Sequence, residues 1–245
     1  MSQGKRGLWG AGLAMLLFFV PCAVGQGSAS INMNNGGPYS MNGVYVGPYN
    51  ATVNGQSAQI ICDDWAHDTY QNESWTANVT NFSNLGSSQV PMWSGQSGAS
   101  TLYADAAWLA TQMVSTEKQT GLSQTQINNT EGYLAYALWS LFNPNALNGL
   151  NSSQLQGVDA VLSSIPNGLT PSQYANFFIY TPDLSQPITC NGGNCPTHPP
   201  QEFLGFTVPE GGSALLYLLL AAVSCFGAIV LRHRRQMYVA GRELA

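Results

Sequence analysis

The sequence predicts an α+β fold, an antiparallel sheet or small barrel with an inserted three-helix group. Three observations support this prediction. Alternating apolar residues and an Asn-Gly turn mark the first third as β-structure, apolar residues at helical spacing fill the middle, and two short apolar stretches close the domain. The expected folded domain covers residues 44–207, ahead of one C-terminal transmembrane helix.

Short strands are predicted in the first third of this domain. Asn54-Gly55 separates two of them, and this dipeptide is the strongest short hairpin signal. The predicted strands are Val44–Val46, Tyr49–Val53, Ser57–Cys62 and Glu73–Val79. Residues 26–43 precede them and are rich in Gly and Asn, so we expect a flexible lead-in there.

The middle of the chain has helical periodicity. Apolar residues on one face of a first helix are Leu102, Ala106, Leu109 and Met113. Ser123 and Gln126 predict a capping box for a second helix that must end by Pro144, and a third helix runs from near Asn151 to Pro166. The closing strands are predicted at Asn176–Tyr180 and Phe203–Val208.

Charge is distributed unevenly along the chain. Residues 26–208 hold ten acidic side chains and a single basic one, Lys118. Such a surface repels phosphate backbones, so nucleic acid is excluded as a partner.

The N-terminus has the three regions of a secretory signal peptide. Lys5 and Arg6 precede the apolar run Leu13–Val20, and the small residues Ala23–Gly25 follow it. We therefore expect residues 1–25 to direct export through the Sec machinery.

A second apolar segment lies near the C-terminus. Residues 213–231 carry no charge and are long enough to span a membrane, and the basic cluster that begins at Arg232 follows at once. By the positive-inside rule this cluster, with residues 236–245, stays in the cytoplasm, while the preceding domain lies outside.

This tail resembles the PEP-CTERM sorting signal. The matching residues are Val208, Pro209, Glu210, Arg232, Arg234 and Arg235, whereas Gly211 replaces the second proline of the usual motif. The resemblance, over residues 208–235, implies a Gram-negative producer of exopolysaccharide. There an exosortase-like membrane protease cuts the tail and passes the protein to the cell surface or extracellular matrix. The alternative is a protein that remains anchored in the inner membrane by its helix.

Two cysteines lie close together in a loop rich in Pro and Gly. Cys190 and Cys195 are separated by four residues, and an exported protein meets an oxidising compartment. We predict a disulfide that acts as a local clip, since redox pairs are more often separated by two residues.

A dense cluster of functional groups follows the third predicted strand: Cys62, Asp63, Asp64, His67 and Asp68. A metal site is one hypothesis, although strand alternation puts His67 and Asp64 on opposite faces. Catalysis by Cys62 with His67 is a second. The favoured hypothesis is structural: a buried Cys62, aspartates that accept backbone N–H bonds in the next turn, and Trp65 in the core. We therefore expect no catalytic residue, resident metal or cofactor.

The same cysteine, with Ala137-Leu138-Trp139 further on, resembles the thioester-type adhesion domains of bacterial surface proteins. In that family a Cys thiol and a Gln side chain form an internal thioester that captures amines. Ala135 occupies the place where the glutamine is expected, and Gln124 and Gln126 lie more than a helical turn away. The resemblance therefore implies the fold without the reaction.

The segments around Cys62, Trp139, Asn176–Thr181 and Gln201–Phe206 also resemble a group of PEP-CTERM proteins of soil bacteria. The sequence thus predicts a non-enzymatic, exported cell-surface or matrix protein, associated with exopolysaccharide or biofilm. The alternatives are a carbohydrate-binding protein, a covalent adhesin that uses Cys62, and a secreted hydrolase. Aromatic residues that could stack on sugar rings are Tyr45, Tyr49, Trp75 and Trp93.

Overall fold

A computed structural model describes residues 27–190 and 198–206 of the chain. The strands are β1 (Gly27–Met33), β2 (Tyr39–Met41), β3 (Val44–Val46), β4 (Tyr49–Val53), β5 (Gln56–Cys62), β6 (Glu73–Asn81), β7 (Phe177–Pro182), β8 (Thr189–Cys190) and β9 (Phe203–Phe206). The α-helices are α1 (Ala99–Glu117), α2 (Gln124–Phe142) and α3 (Ser152–Ser164). Short 3₁₀ helices lie at Phe82–Ser87, Pro144–Leu147 and Pro171–Tyr174.

Six strands close into an antiparallel barrel. Their order is β1, β4, β5, β9, β7 and β6, and β6 pairs again with β1. Strand β8 adds to β6, while β2 and β3 form a separate hairpin. Closure satisfies the strand edges that an open sheet leaves unpaired. The predicted α+β class is confirmed, with the three helices inserted between β6 and β7.

The hairpin turn between β4 and β5 fixes the register of these two strands. Asn54 and Gly55 form its turn with φ angles of 52° and 79°. Two positive φ values in succession match the right-handed twist of the flanking strands. Tyr49 therefore pairs with Ile60, as the Asn-Gly signal predicts.

The prediction of a flexible lead-in over residues 26–43 is wrong. Strand β1 lies within that segment and pairs with both β4 and β6. Its alternate residues Ala29, Ile31 and Met33 are buried, and Ile31 is 0% exposed. Burial of these three side chains outweighs the Gly- and Asn-rich composition around them.

The helices begin and end close to the predicted signals. Ser123 and Gln126 form a reciprocal capping box at the start of α2, and Asn151 does the same with Gln154 at α3. Helix α2 ends at Phe142, just before Pro144. Its second half is buried on nearly all sides, as expected for the central core helix.

The C-terminal predictions are tested only in part. Strand β7 begins one residue later than predicted, β9 begins at Phe203 as predicted, and β8, which includes Cys190, was not predicted. Cys195 lies outside the described residues, so its disulfide stays a prediction. The predicted signal peptide, the predicted transmembrane helix and the predicted sorting residues also lie outside them, the last being Val208, Pro209, Glu210, Arg232, Arg234 and Arg235. Among the helices that are described, none is long and apolar enough to cross a membrane.

Candidate functional site

The pairing of β5 with β9 brings two distant segments together at one end of the barrel. Cys62 pairs with Phe203. The antiparallel register continues past the ends of both strands, because the Asp63 N–H donates to the Glu202 carbonyl at 3.3 Å. One residue further, the Gln201 side-chain amide donates to the Asp64 carbonyl at 2.8 Å.

The Cys62 thiol binds the same carbonyl oxygen as Gln201. Its Sγ donates to the Asp64 oxygen at 3.2 Å and accepts from the Asp64 N–H at 3.4 Å. The side chain is buried, as predicted, and it is the free cysteine of the described residues. Burial raises the pKa of this thiol well above its usual range, and the neighbouring charge of Asp64 raises it further.

Gln201 is the residue that the sequence reasoning missed. The expected position in α2 holds Ala135, from which the sequence implied that no glutamine reaches Cys62. That inference needs correction, because Gln201, two residues before the neighbouring strand β9, binds the Asp64 carbonyl that Cys62 also binds. The signal that could have found it is the segment Gln201–Phe206, but its use requires knowing that β9 pairs with β5.

Trp139 anchors the central helix to the end of β5. Its indole N–H donates to the Cys62 carbonyl at 3.0 Å. The ring also packs against Trp65, with the ring centroids 5.1 Å apart. Trp65 is partly buried against the core, close to the predicted position.

A pocket of about 530 Å³ opens above this end of the barrel. Trp65, Trp139 and Gln201 line it together with His67 and Asp68. Two further lining residues, Tyr45 and Tyr70, are 60% and 49% exposed. The pocket therefore has aromatic walls and polar groups beside the buried Cys62.

His67 and Asp64 form a hydrogen-bonded pair at the pocket. The distance from His67 Nδ1 to Asp64 Oδ2 is 2.6 Å, and the other Asp64 oxygen accepts the Ala66 N–H at 2.7 Å. Strand alternation does not separate the two side chains as predicted, because β5 ends at Cys62 and the chain turns there. Asp68 is exposed at the same pocket.

Asp63 has a different environment from the rest of the cluster. Its carboxyl oxygens are buried and accept no hydrogen bond from any described residue, so the prediction that they bind backbone N–H groups holds for Asp64 alone. Burial raises the pKa of Asp63 well above its usual range, and the charge of Glu202 raises it further. Glu202 accepts from Tyr103, Thr181 and the Met92 N–H, which makes it the better place for the negative charge.

Within residues 27–190 and 198–206, no three or more His, Cys, Asp and Glu side chains come together in a way that could hold a metal ion. Of the aromatic residues proposed for sugar stacking, Tyr45 is exposed, Trp93 is half-buried, and Tyr49 and Trp75 are buried. Tyr70 is a further exposed aromatic residue at the pocket that the sequence did not indicate.

Comparison with models of known protein families finds no match for this sequence, and neither does comparison with curated proteins. Among solved structures, the chain is similar to the N-terminal thioester domain of a surface protein from Clostridium perfringens, in a mutant with alanine in place of a cysteine. The two share 12% sequence identity with a TM-score of 0.41, over 74% of this chain and 99% of the other.

Proposed function

We propose that this protein is an exported surface adhesin whose barrel domain forms an internal thioester between Cys62 and Gln201 and captures primary amines. The observation that carries the proposal is that Cys62 and Gln201 donate hydrogen bonds to the same acceptor. The Cys62 thiol lies 3.2 Å and the Gln201 amide nitrogen 2.8 Å from the Asp64 carbonyl oxygen.

The reaction needs a thiol and a carboxamide held together away from water. Attack of the Cys62 sulfur on the Gln201 side-chain carbonyl carbon forms the C–S bond and releases ammonia. Burial of Cys62 protects the product from hydrolysis, while Gln201 at the pocket wall gives an amine access to the acyl carbon. An amine then forms an amide with Gln201 and frees the thiol.

Surface exposure of the domain is supported by the two ends of the sequence. The signal peptide pattern and the PEP-CTERM-like tail support a location of the domain outside the inner membrane, where an exosortase-like protease would release it to the cell surface or matrix. Amine-bearing polymers of the exopolysaccharide matrix would then be within its reach.

Mass spectrometry of the full chain, exported and purified under non-reducing conditions, tests the thioester directly. We expect the wild-type mass to fall short of the sequence mass by about 17 Da, because ammonia is lost on closure. Methylamine should convert this form to an adduct on Gln201 and make Cys62 reactive to alkylation after unfolding.

Three variants complete this test. C62S and Q201A should show the full mass expected from their sequences and gain no adduct. Q71A is the matched control, because Gln71 lies at the same pocket and binds the Asn34 carbonyl rather than Asp64. A full-mass wild-type protein with an alkylatable Cys62 would contradict the proposal.

A carbohydrate-binding role is a second candidate, favoured by the exposed rings of Tyr45 and Tyr70 at the pocket. Aromatic faces stack on the apolar faces of sugar rings. Retention of the C62S chain on the producer's exopolysaccharide, lost in Y45A and Y70A, would support binding without a covalent bond.

A further inference from the structure

The structural hypothesis for the cluster gives His67 no role, yet His67 is hydrogen-bonded to Asp64 and lines the pocket beside Gln201. We propose that His67, oriented by Asp64, takes the proton from the incoming amine and returns it to the Cys62 sulfur as the thioester opens. This role rests on the proposed function above.

The hydrogen bonds of Asp64 fix the tautomer of His67. Asp64 Oδ1 accepts the Ala66 N–H at 2.7 Å, and Oδ2 lies 2.6 Å from His67 Nδ1. Because a carboxylate only accepts hydrogen bonds, Nδ1 carries the hydrogen, so that in the neutral ring the lone pair lies on Nε2. A base with one nitrogen bound to a carboxylate and the other free is suited to accept a proton from substrate.

The position of His67 matches this task. Asp64 is fully buried, whereas the His67 side chain is 31% exposed and lines the pocket with Gln201. The backbone carbonyl of the same Asp64 binds both Cys62 and Gln201. One residue therefore positions the thiol, the carboxamide and the base.

Other titratable groups of the pocket are less suited to the role. Tyr49 donates its hydroxyl to the Tyr45 carbonyl, and burial raises its pKa well above the usual range. Asp68 is exposed, and no hydrogen bond from a described residue orients its carboxyl group toward Cys62 or Gln201. Histidine is the side-chain type that exchanges protons near neutral pH.

The proton balance of the step explains why a shuttle is needed. The amine nitrogen forms a bond with the Gln201 acyl carbon, the C–S bond breaks, and the pair of electrons stays on sulfur. The proton lost by nitrogen passes through His67 Nε2 to the sulfur, which leaves as a thiol. Because burial disfavours the Cys62 thiolate, departure without a proton would be slow.

The test follows methylamine incorporation into the full chain by mass spectrometry at one fixed pH. In H67N an amide N–H can still bind Asp64, but the basic nitrogen is gone. We expect H67N to keep the mass deficit of the thioester and to react with methylamine at least about a hundredfold more slowly, the lower end of the usual range for general acid–base catalysis. D68N is the control, which removes an exposed acid of the same pocket and should react at the wild-type rate.

Chemical rescue by imidazole distinguishes a proton-transfer role of His67 from a structural one. H67A should also react slowly, and free imidazole should restore much of its rate, which a purely structural histidine would not allow. An H67N rate equal to wild type, or no response of H67A to imidazole, overturns the role of His67 while the thioester stands. A wild-type chain without the mass deficit overturns both, and circular dichroism of each variant checks that it folds.

Discussion

The indole N–H of Trp139 donates to the carbonyl of Cys62, so one hydrogen bond joins the central helix to the strand that carries the candidate nucleophile. Both residues are buried. The bond gives the carbonyl of the last residue of β5 a buried donor from the helix.

Loss of this hydrogen bond should destabilise the protein more than loss of an indole elsewhere. We expect W139F to lower the free energy of unfolding by about 1–3 kcal/mol beyond the lost ring volume, because the Cys62 carbonyl is left unpaired. W75F is the matched control, since Trp75 is also buried but its indole N–H meets no acceptor among the described residues. Urea unfolding of both variants measures the difference, and equal losses would contradict the prediction.

Local signals in the sequence were sufficient for most of the fold. The Asn54-Gly55 turn and the capping boxes depend on residues within three positions of each other, so the chain alone predicts them. Strand β1 was missed because Ile31 is held by both β4 and β6, and neither pairing is visible in its own composition. The strand structure of that segment is therefore determined by its buried contacts with distant strands.

The sequence predicted one of the two residues of the candidate thioester. Cys62 and its acidic neighbours stand out in the sequence, since they are consecutive. Gln201 does not, because its approach to Asp64 depends on the pairing of β5 with β9 across the whole helical insertion. The glutamine was expected in α2, whereas Gln201 lies just before β9.

The two carboxyl groups next to the candidate thioester should respond differently to neutralisation. Glu202 accepts three hydrogen bonds, from Tyr103, Thr181 and the Met92 N–H, whereas Asp63 accepts none from the described residues. E202Q turns an amide toward at least one of these donors and should cost about 1–3 kcal/mol. D63N should cost much less at neutral pH, since burial keeps Asp63 protonated.

Urea unfolding at pH 7 of the two variants tests this asymmetry. Removal of one donor, in Y103F, should reproduce part of the E202Q loss, because the hydroxyl bond to Glu202 disappears. A D63N loss as large as that of E202Q would show that Asp63 is the ionised member of the pair.

Glu131 should make stability depend on pH. Its carboxyl oxygens are buried without a hydrogen-bond donor among the described residues, and burial, with the neighbouring Glu117, raises its pKa from 4.5 to about 8. The unfolded chain releases this proton near pH 4.5, while the folded protein holds it up to about pH 8. The contribution of Glu131 to the free energy of unfolding therefore falls as pH rises through that interval, by up to about 1.4 kcal/mol per pH unit. Above the interval the contribution stays constant.

The E131Q variant isolates this contribution from other titrating groups. Its free energy of unfolding, minus that of wild type, should grow between about pH 4.5 and pH 8 and then stay constant. A flat difference for E131Q would mean that Glu131 is ionised in the folded protein across the whole range.

Gly132 allows α2 to approach the hairpin of β2 and β3. A Cβ atom placed on Gly132 would lie 2.8 Å from Met41 Cβ, closer than such atoms pack. We expect G132A to lower the free energy of unfolding by about 1–2 kcal/mol, because overpacking outweighs the gain of about 1 kcal/mol in helix propensity. G86A is the control, since a Cβ on Gly86 meets nothing within 4 Å. If the contact is the cause, M41A and G132A combined should cost less than the sum of the two, and strict additivity in urea unfolding would argue against it.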